Sequence, residues 1–206
     1  MKVLMVNGSP HQFGTTYMAL KEIQDEFTKE NVESEIIWLG VQPIAGCIGC
    51  GYCHKNGKCF RDDIVNEFNE KAKEADGFIF GSPVHYAAIS GAMTSFMDRA
   101  FYSNQGTMKY KPCSCVVVAR RAGTSAAFEQ LLKYPTISEM PVISSSYWNN
   151  VFGAKAEEAT QDEEGMYTMR KLARNMVYFL KCIEAGKEKG ITLPEQEPRK
   201  KTNFIR

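Results

Sequence analysis

"KVLMVNGSPHQFGTT", residues 2–16, sets a short apolar, β-branched run directly before a turn rich in Gly and hydroxyls. The run has the length of a buried strand. "TTYMALKEIQDEFTKE" (15–30) then places Met18, Leu20, Ile23 and Phe27 close to one helical stripe. A strand, a tight loop and a helix thus open the chain, and the alternation recurs. Further strands are read at "SEIIWL" (34–39), "GFIFGSP" (77–83), "CSCVVVA" (113–119) and "MPVISSS" (140–146). Helices are read at 62–75, where paired Asp residues suit an N-terminus and Ile64, Val65, Phe68 and Ala72 share a face, and at 90–102, started by Ser90. Two more are read at 125–134, stopped by Pro135, and at 165–186, with Gly186 as cap. Five strands alternating with helices predict an α/β fold: a parallel, doubly wound sheet between two helical layers.

The 206 residues are expected to form one domain over 1–186, followed by a polar, Pro-interrupted and locally basic tail over 187–206. A net charge of +1 lacks the clustered positive field that nucleic acid or an anionic membrane requires, so neither is expected as a partner. Small-molecule chemistry is the default. The apolar run at the N-terminus stops at Asn7 and Gly8, too short for a signal segment or a membrane span, which points to a cytoplasmic protein. In that compartment seven cysteines do not read as a disulfide framework. Cys113, Cys115 and Cys182 lie in apolar contexts and read as core or neutral positions.

Ligands of a doubly wound sheet sit beyond the carboxyl ends of its strands. The first such loop, Asn7 to Thr16, lacks both GxxxxGK[ST] and GxGxxG, which excludes a triphosphate P-loop and a dinucleotide fingerprint. Backbone N–H groups at the helix start, helped by the hydroxyls of Ser9, Thr15 and Thr16, would suit a phosphate dianion; an ordinary hydroxyl helix cap is the competing reading. No Lys follows the glycine, so a monophosphate fits better than a triphosphate. The third strand ends in "GSPVHYAAISGAMTSFMDR", where a Pro-bearing loop with His85 and Tyr86 could contact the face and edge of a flat heteroaromatic ring. Read blandly, Tyr86 is a surface aromatic and His85 a structural histidine.

The stretch "CIGCGYCHKNGKC" (47–59) holds four cysteines spaced C-x2-C-x2-C-x5-C. This lies near the bacterial ferredoxin run, but the last gap is five and Phe60, not Pro, follows Cys59. Four cysteines also suit a closed zinc site, and unmetallated, redox-sensitive thiols are a third reading.

Together "NGSPHQFGTT", "GCIGCGYCHKNGKCFRDD", "ADGFIFGSPVHYAAISGAMTSFMDR", "ARRAGTSAAFEQL" and "MPVISSSYWNNVFG" resemble the NAD(P)H-dependent FMN reductase branch of the flavodoxin-like superfamily, and within it the iron-sulfur flavoprotein-like members. The resemblance runs from the first residue to about Gly153. It implies that Ser9, Gly14, Thr15 and Thr16 bind the FMN phosphate, that Pro83, Val84, His85 and Tyr86 line the isoalloxazine, and that Arg121, Ala122, Gly123 and Thr124 approach its pyrimidine end. Trp148 would stand near the site across a subunit boundary, since members are typically homodimers or homotetramers. Relatives read SPVYY or SPVYF where this chain reads SPVHY, so His85 replaces an aromatic. The resemblance also implies Cys47, Cys50, Cys53 and Cys59 as ligands of a [4Fe–4S] cluster.

The activity so implied is hydride transfer from NAD(P)H to flavin N5, then delivery to a quinone, free flavin, nitro or azo compound, or a redox protein. No catalytic triad is expected. Arg120 and Arg121 are candidates for charge near flavin N1 and O2 or for the NADPH 2′-phosphate, with Arg199, Lys200 and Lys201 further candidates for the latter. Two rivals stand beside it: a flavodoxin-like electron shuttle without NAD(P)H turnover, which the neutral charge disfavours, and a thiol sensor with a structural flavin.

Overall fold

The computed structural model describes residues 1–198 and Thr202. Its elements run β1 (Lys2–Asn7), α1 (Thr15–Lys29), β2 (Glu33–Trp38), α2 (Tyr52–Asn56), α3 (Ile64–Glu74), β3 (Gly77–His85), β4 (Ala88–Ile89), α4 (Gly91–Ser103), β5 (Cys113–Ala119), α5 (Thr124–Ile137), β6 (Asn150–Phe152), α6 (Ala156–Ala159) and α7 (Glu163–Glu188). Five strands pair in parallel in the order β2-β1-β3-β5-β6, and the short β4 folds back antiparallel onto the end of β3. The predicted doubly wound architecture is the one observed.

Alternation along the strands divides the apolar residues between two cores. Leu4 and Val6 of β1, with Phe78 and Phe80 of β3, face α3, α4 and α5. Val3 and Met5, with Ile79, Val116 and Val118, face α1 and α7. Phe68 of α3 packs against Phe78, Phe80 and Phe96, with ring centroids 5.1–6.0 Å apart, and so joins β3 to α3 and α4.

Three expectations need correction. The fifth strand is not 140–146 but Asn150–Phe152. Around Val142 the chain makes a single bridge to Cys113 and then leaves through the exposed Ser144, Ser146, Tyr147 and Trp148 before rejoining β5. Polar, water-seeking side chains interrupt what an inner strand would need as an apolar run. Pro135 does not stop α5, which continues to Ile137. A proline this close to the C-terminal end forfeits only the bond its own N–H would have made, and its carbonyl accepts from Ser138 and Met140. Gly186 lies inside α7. The glycine that ends it is Gly190, left-handed at φ 78°, whose N–H reaches the Lys187 carbonyl while Ile191 reaches that of Gly186. The tail is not wholly free beyond that point, for the Gln196 amide donates to the Tyr110 hydroxyl at 2.8 Å. Arg199, Lys200 and Lys201 lie outside the described residues.

On the α1–α7 face, Glu26 is buried and accepts from Lys29 at 2.7 Å and from Arg174 at 2.8 Å. The Lys29 bond is the largest influence, and together with Arg174 it outweighs burial and lowers the Glu26 pKa below the ordinary carboxylate value. Because the folded-state pKa is lowered, this stabilisation is present above the unfolded carboxylate range and fades as pH falls through the folded value. E26Q is therefore expected to cost about 1–2 kcal/mol at neutral pH. The difference from wild type should shrink in acid, which urea melts across pH will read. Phe68→Ala should cost about 3–5 kcal/mol in the same assay, since it empties the centre of one core.

Candidate functional site

The strand order reverses direction between β1 and β3, and the loops at their carboxyl ends part there to leave a crevice. Three hydrogen bonds fix that junction. Gly8 N–H donates to Gly81 O at 2.8 Å, the Ser90 hydroxyl donates to Gly8 O at 2.7 Å, and Ser90 N–H donates to the Ser82 hydroxyl at 3.0 Å. The Ser90 hydroxyl also accepts from Met93 N–H, capping α4.

The loop from β1 to α1 is held by its own polar groups. The Asn7 side chain accepts from Ser9 N–H and donates to Gln12 O, each at 3.0 Å, and the Trp38 indole N–H donates to Ser9 O at 2.8 Å. Ser9 is buried, and its hydroxyl accepts from His11 N–H. Helix α1 begins at Gly14 with no side-chain cap, so the hydroxyl-cap reading of this loop fails. The first-turn N–H groups have no partner within the helix. Beneath them Thr16 is fully buried, and its Oγ1 has no hydrogen-bond partner. A buried hydroxyl left unpaired costs free energy. An anion at this helix end would satisfy it, and Thr15, half-buried beside it, completes a cradle that fits a phosphate.

The loop after β3 presents Pro83 and Val84 half-buried and His85 and Tyr86 exposed. Tyr86 and Ala87 both adopt left-handed backbone, at φ 50° and 59°, and the Tyr86 side chain is entirely in water. Two adjacent non-glycine residues in that region cost on the order of 1–3 kcal/mol each. Such strain concentrates at ligand-binding loops. The loop after β5 meets it: a Cβ at Gly123, φ 88°, would lie 2.9 Å from Ala87 Cα and 3.0 Å from Val84 Cγ1. Arg120, Arg121 and Ala122 are exposed there, and Thr124 is buried in the first turn of α5.

The predicted residues on the loops after β1, β3 and β5 are thus set on three adjacent strand ends. Trp148 is placed differently, on the loop before the edge strand β6, exposed and edge-to-face with Tyr147 at 4.9 Å.

The four-cysteine segment connects β2 to α3. Gly51 and Gly57, left-handed at φ 69° and 73°, bound the short helix α2. Cys47 and Cys50 are exposed, Cys59 is half-buried and Cys53 is buried, with its thiol pKa raised chiefly by desolvation. All four line one pocket with Tyr52, Phe60 and Arg99. Four cysteine thiols are the donor type of both an iron-sulfur cluster and a closed zinc site. Among the described residues, no three His, Cys, Asp or Glu side chains are gathered so as to hold a metal ion. A groove lined by Gly8, Pro10, Ile44, His85 and Ser95 lies beside the β1 loop.

The family model for NADPH-dependent FMN reductase matches residues 1–155. The chain belongs to this family. An iron-sulfur flavoprotein of Methanocaldococcus jannaschii is 31% identical over 192 residues, spanning 89% of this chain and 100% of that one. Among solved structures, RosB with its bound intermediate 8-demethyl-8-formylriboflavin-5'-phosphate superposes with a TM-score of 0.71 at 14% identity, covering 100% of this chain and 94% of that one. A flavodoxin from Archaea gives 0.61 at 16% identity over 88% and 99% of the two chains. These likenesses establish the flavodoxin-like fold, and the FMN reductase match establishes an oxidoreductase family. No described helix is long and apolar enough to cross a membrane.

Three residues that sequence reasoning passed over belong to the site. Trp38 at the end of β2 anchors the Ser9 carbonyl. Ala87 shares the strained turn. Arg99 is 2% exposed on the inner face of α4. Its signal was present, since it falls three residues after Phe96 and one before Ala100 on a helix whose buried stripe also includes Met93 and Met97.

Because Gly123 needs both a left-handed φ and the space of a missing Cβ, Gly123→Ala is expected to lower stability by about 1–3 kcal/mol, read from urea or thermal melts. A neutral outcome would mean the two loops are not packed as described.

Proposed function

We propose that this chain is an FMN-dependent oxidoreductase that takes a hydride from NAD(P)H and reduces a quinone, a free flavin, a nitro or azo compound, or an electron carrier. The observation that carries the reading is the buried, unpartnered Thr16 Oγ1 beneath the uncapped start of α1. It leaves a donor and a helix end prepared for one phosphate. Bound there, FMN would supply hydride acceptance at N5 and release of the electrons either as a hydride or singly.

The chain's own residues provide position and charge. Gly14, Thr15 and Thr16, with Ser9 ordering the turn, hold the phosphate. Pro83, Val84, His85 and Tyr86 supply apolar and aromatic contact to the ring and backbone donors to its edge. Ala122, Gly123 and Thr124 close the far side, while Arg120 and Arg121 place positive charge where a reduced ring accumulates negative charge or where a 2′-phosphate would bind. Trp148 serves the site from a neighbouring subunit of a homodimer or homotetramer. The groove beside the β1 loop is lined by no Asp, Glu, Lys or Arg side chain, which suits neutral planar acceptors.

For the cysteine segment we propose Cys47, Cys50, Cys53 and Cys59 as ligands of a [4Fe–4S] cluster. That all four line one pocket supports this, as does the iron-sulfur flavoprotein name of the Methanocaldococcus relative.

Anaerobic addition of NADPH or NADH to the purified yellow protein is expected to bleach its flavin bands. A protein that ignores both but bleaches with a viologen donor is an electron shuttle instead. T16V, which keeps the shape and removes the hydroxyl, should weaken FMN binding roughly tenfold, the loss of about one hydrogen bond to a charged group. Riboflavin, lacking the phosphate, should bind wild type and T16V alike, and fluorescence titration will measure both.

A further inference from the structure

Arg99 stands at an unusual place for a charge: its side chain is 1% exposed on α4, among core residues. Its guanidinium donates to Asp63 through both arms, at 2.6 and 3.0 Å. It also donates to Ala45 O at 3.4 Å, to Arg61 O at 3.3 Å and to Cys59 Sγ at 3.3 Å. Ala45 precedes the first cysteine of the segment and Arg61 follows the last. One side chain therefore ties together both ends of the loop that carries Cys47, Cys50, Cys53 and Cys59, and it lines the same pocket as they do. Its Nε–H is buried with no partner.

An ion pair alone does not account for this. Replacing a buried pair by well-packed apolar residues is often neutral or stabilising, and α4 offers an apolar setting for that exchange. Desolvation opposes the Arg99 charge, and the bonds to Asp63 and Cys59 more than offset it. Asp63 also accepts from Val65 N–H as the cap of α3 and is 33% exposed on its side chain, so the pair is shared between the core and the surface. Beside Asp63 and the carbonyls of Ala45 and Arg61, Arg99 also meets sulfur. A neutral thiol is a weak acceptor, whereas a metal-bound sulfur carries negative charge and makes a charge-assisted bond roughly twice as strong.

We infer that Arg99 is a positioning residue for the iron-sulfur group: it fixes Cys59 Sγ and sets a buried positive charge against the thiolate-bound core. The inference rests on the cluster reading given above. Four thiolates outweigh the positive charge of an iron–sulfide core, and adding an electron makes the assembly more anionic. A cation within hydrogen-bond reach of one sulfur therefore favours the reduced form and raises the reduction potential. No proton or bond is transferred by Arg99 itself.

The test compares wild type, R99K and R99M as full-length chains reconstituted anaerobically with ferrous iron and sulfide. Iron per chain, midpoint potential by dye-mediated titration, and the rate of iron loss to a chelator are measured, with melts of the iron-free proteins as the control for folding. R99K keeps a charge but lacks the planar fork. It is expected to load iron, to hold it with several-fold faster loss, and to show a lower potential than wild type. R99M should lie lower still; if it does not fold, the R99K potential decides. Wild-type potentials in the folded variants would overturn the role of Arg99, whatever the loss rate, and leave the cluster standing. A wild-type chain that takes up no iron would overturn the cluster reading and this inference with it.

Discussion

A parallel sheet covered on both faces must route every connection across its ends, because parallel neighbours cannot be joined by a tight hairpin. In this chain that constraint sets the position of everything chemical. The interiors of β1, β3 and β5 are committed to two apolar cores, so strand ends are the places where polar backbone can face a ligand. Where the order turns from β2-β1 to β3-β5, the helices leave on opposite faces and the loops diverge. The bonds joining Gly8, Gly81, Ser82 and Ser90 then hold the crevice at a fixed width, since each partner is buried and has no water to substitute for a lost contact.

The helices play a second part in this plan. Helix α1 points its uncapped start into the crevice, and α4 starts from Ser90 at the same junction and runs to the cysteine segment, where Arg99 reaches it. One rigid element thus touches both candidate centres. Residues 90 and 99 are separated by nine helical steps, about 14 Å of rise, which sets the scale of the separation between the two regions along that axis.

Much of this was legible in the sequence, and for identifiable reasons. The three inner strands read clearly because burial on both faces enforces continuous apolar runs, as in "KVLMVN" and "CSCVVVA". The loop after β1 was legible because its glycine and hydroxyls leave few other roles. One of the two edge strands misled: β6 is three residues long, and the apolar residues of 140–143 lie before a polar excursion that composition alone assigns to the strand. Pro135 and Gly186 misled because a local breaker was weighed without the tertiary packing that buries Pro135 and prolongs α7. Trp38 and Arg99 were missed since each acts on a segment distant in sequence, and an indole N–H or a guanidinium on an apolar stripe acquires its partner only when the fold is closed.

The contact between Gly123 and the strained turn bears on how the crevice opens. There the missing Cβ of Gly123 would meet the Ala87 backbone at 2.9 Å and the stiff, β-branched Val84 at 3.0 Å. A displacement of the turn after β3 is therefore shared by the turn after β5. The ends of β3 and β5 thus act as one mechanical unit, stiffer together than either turn would be alone.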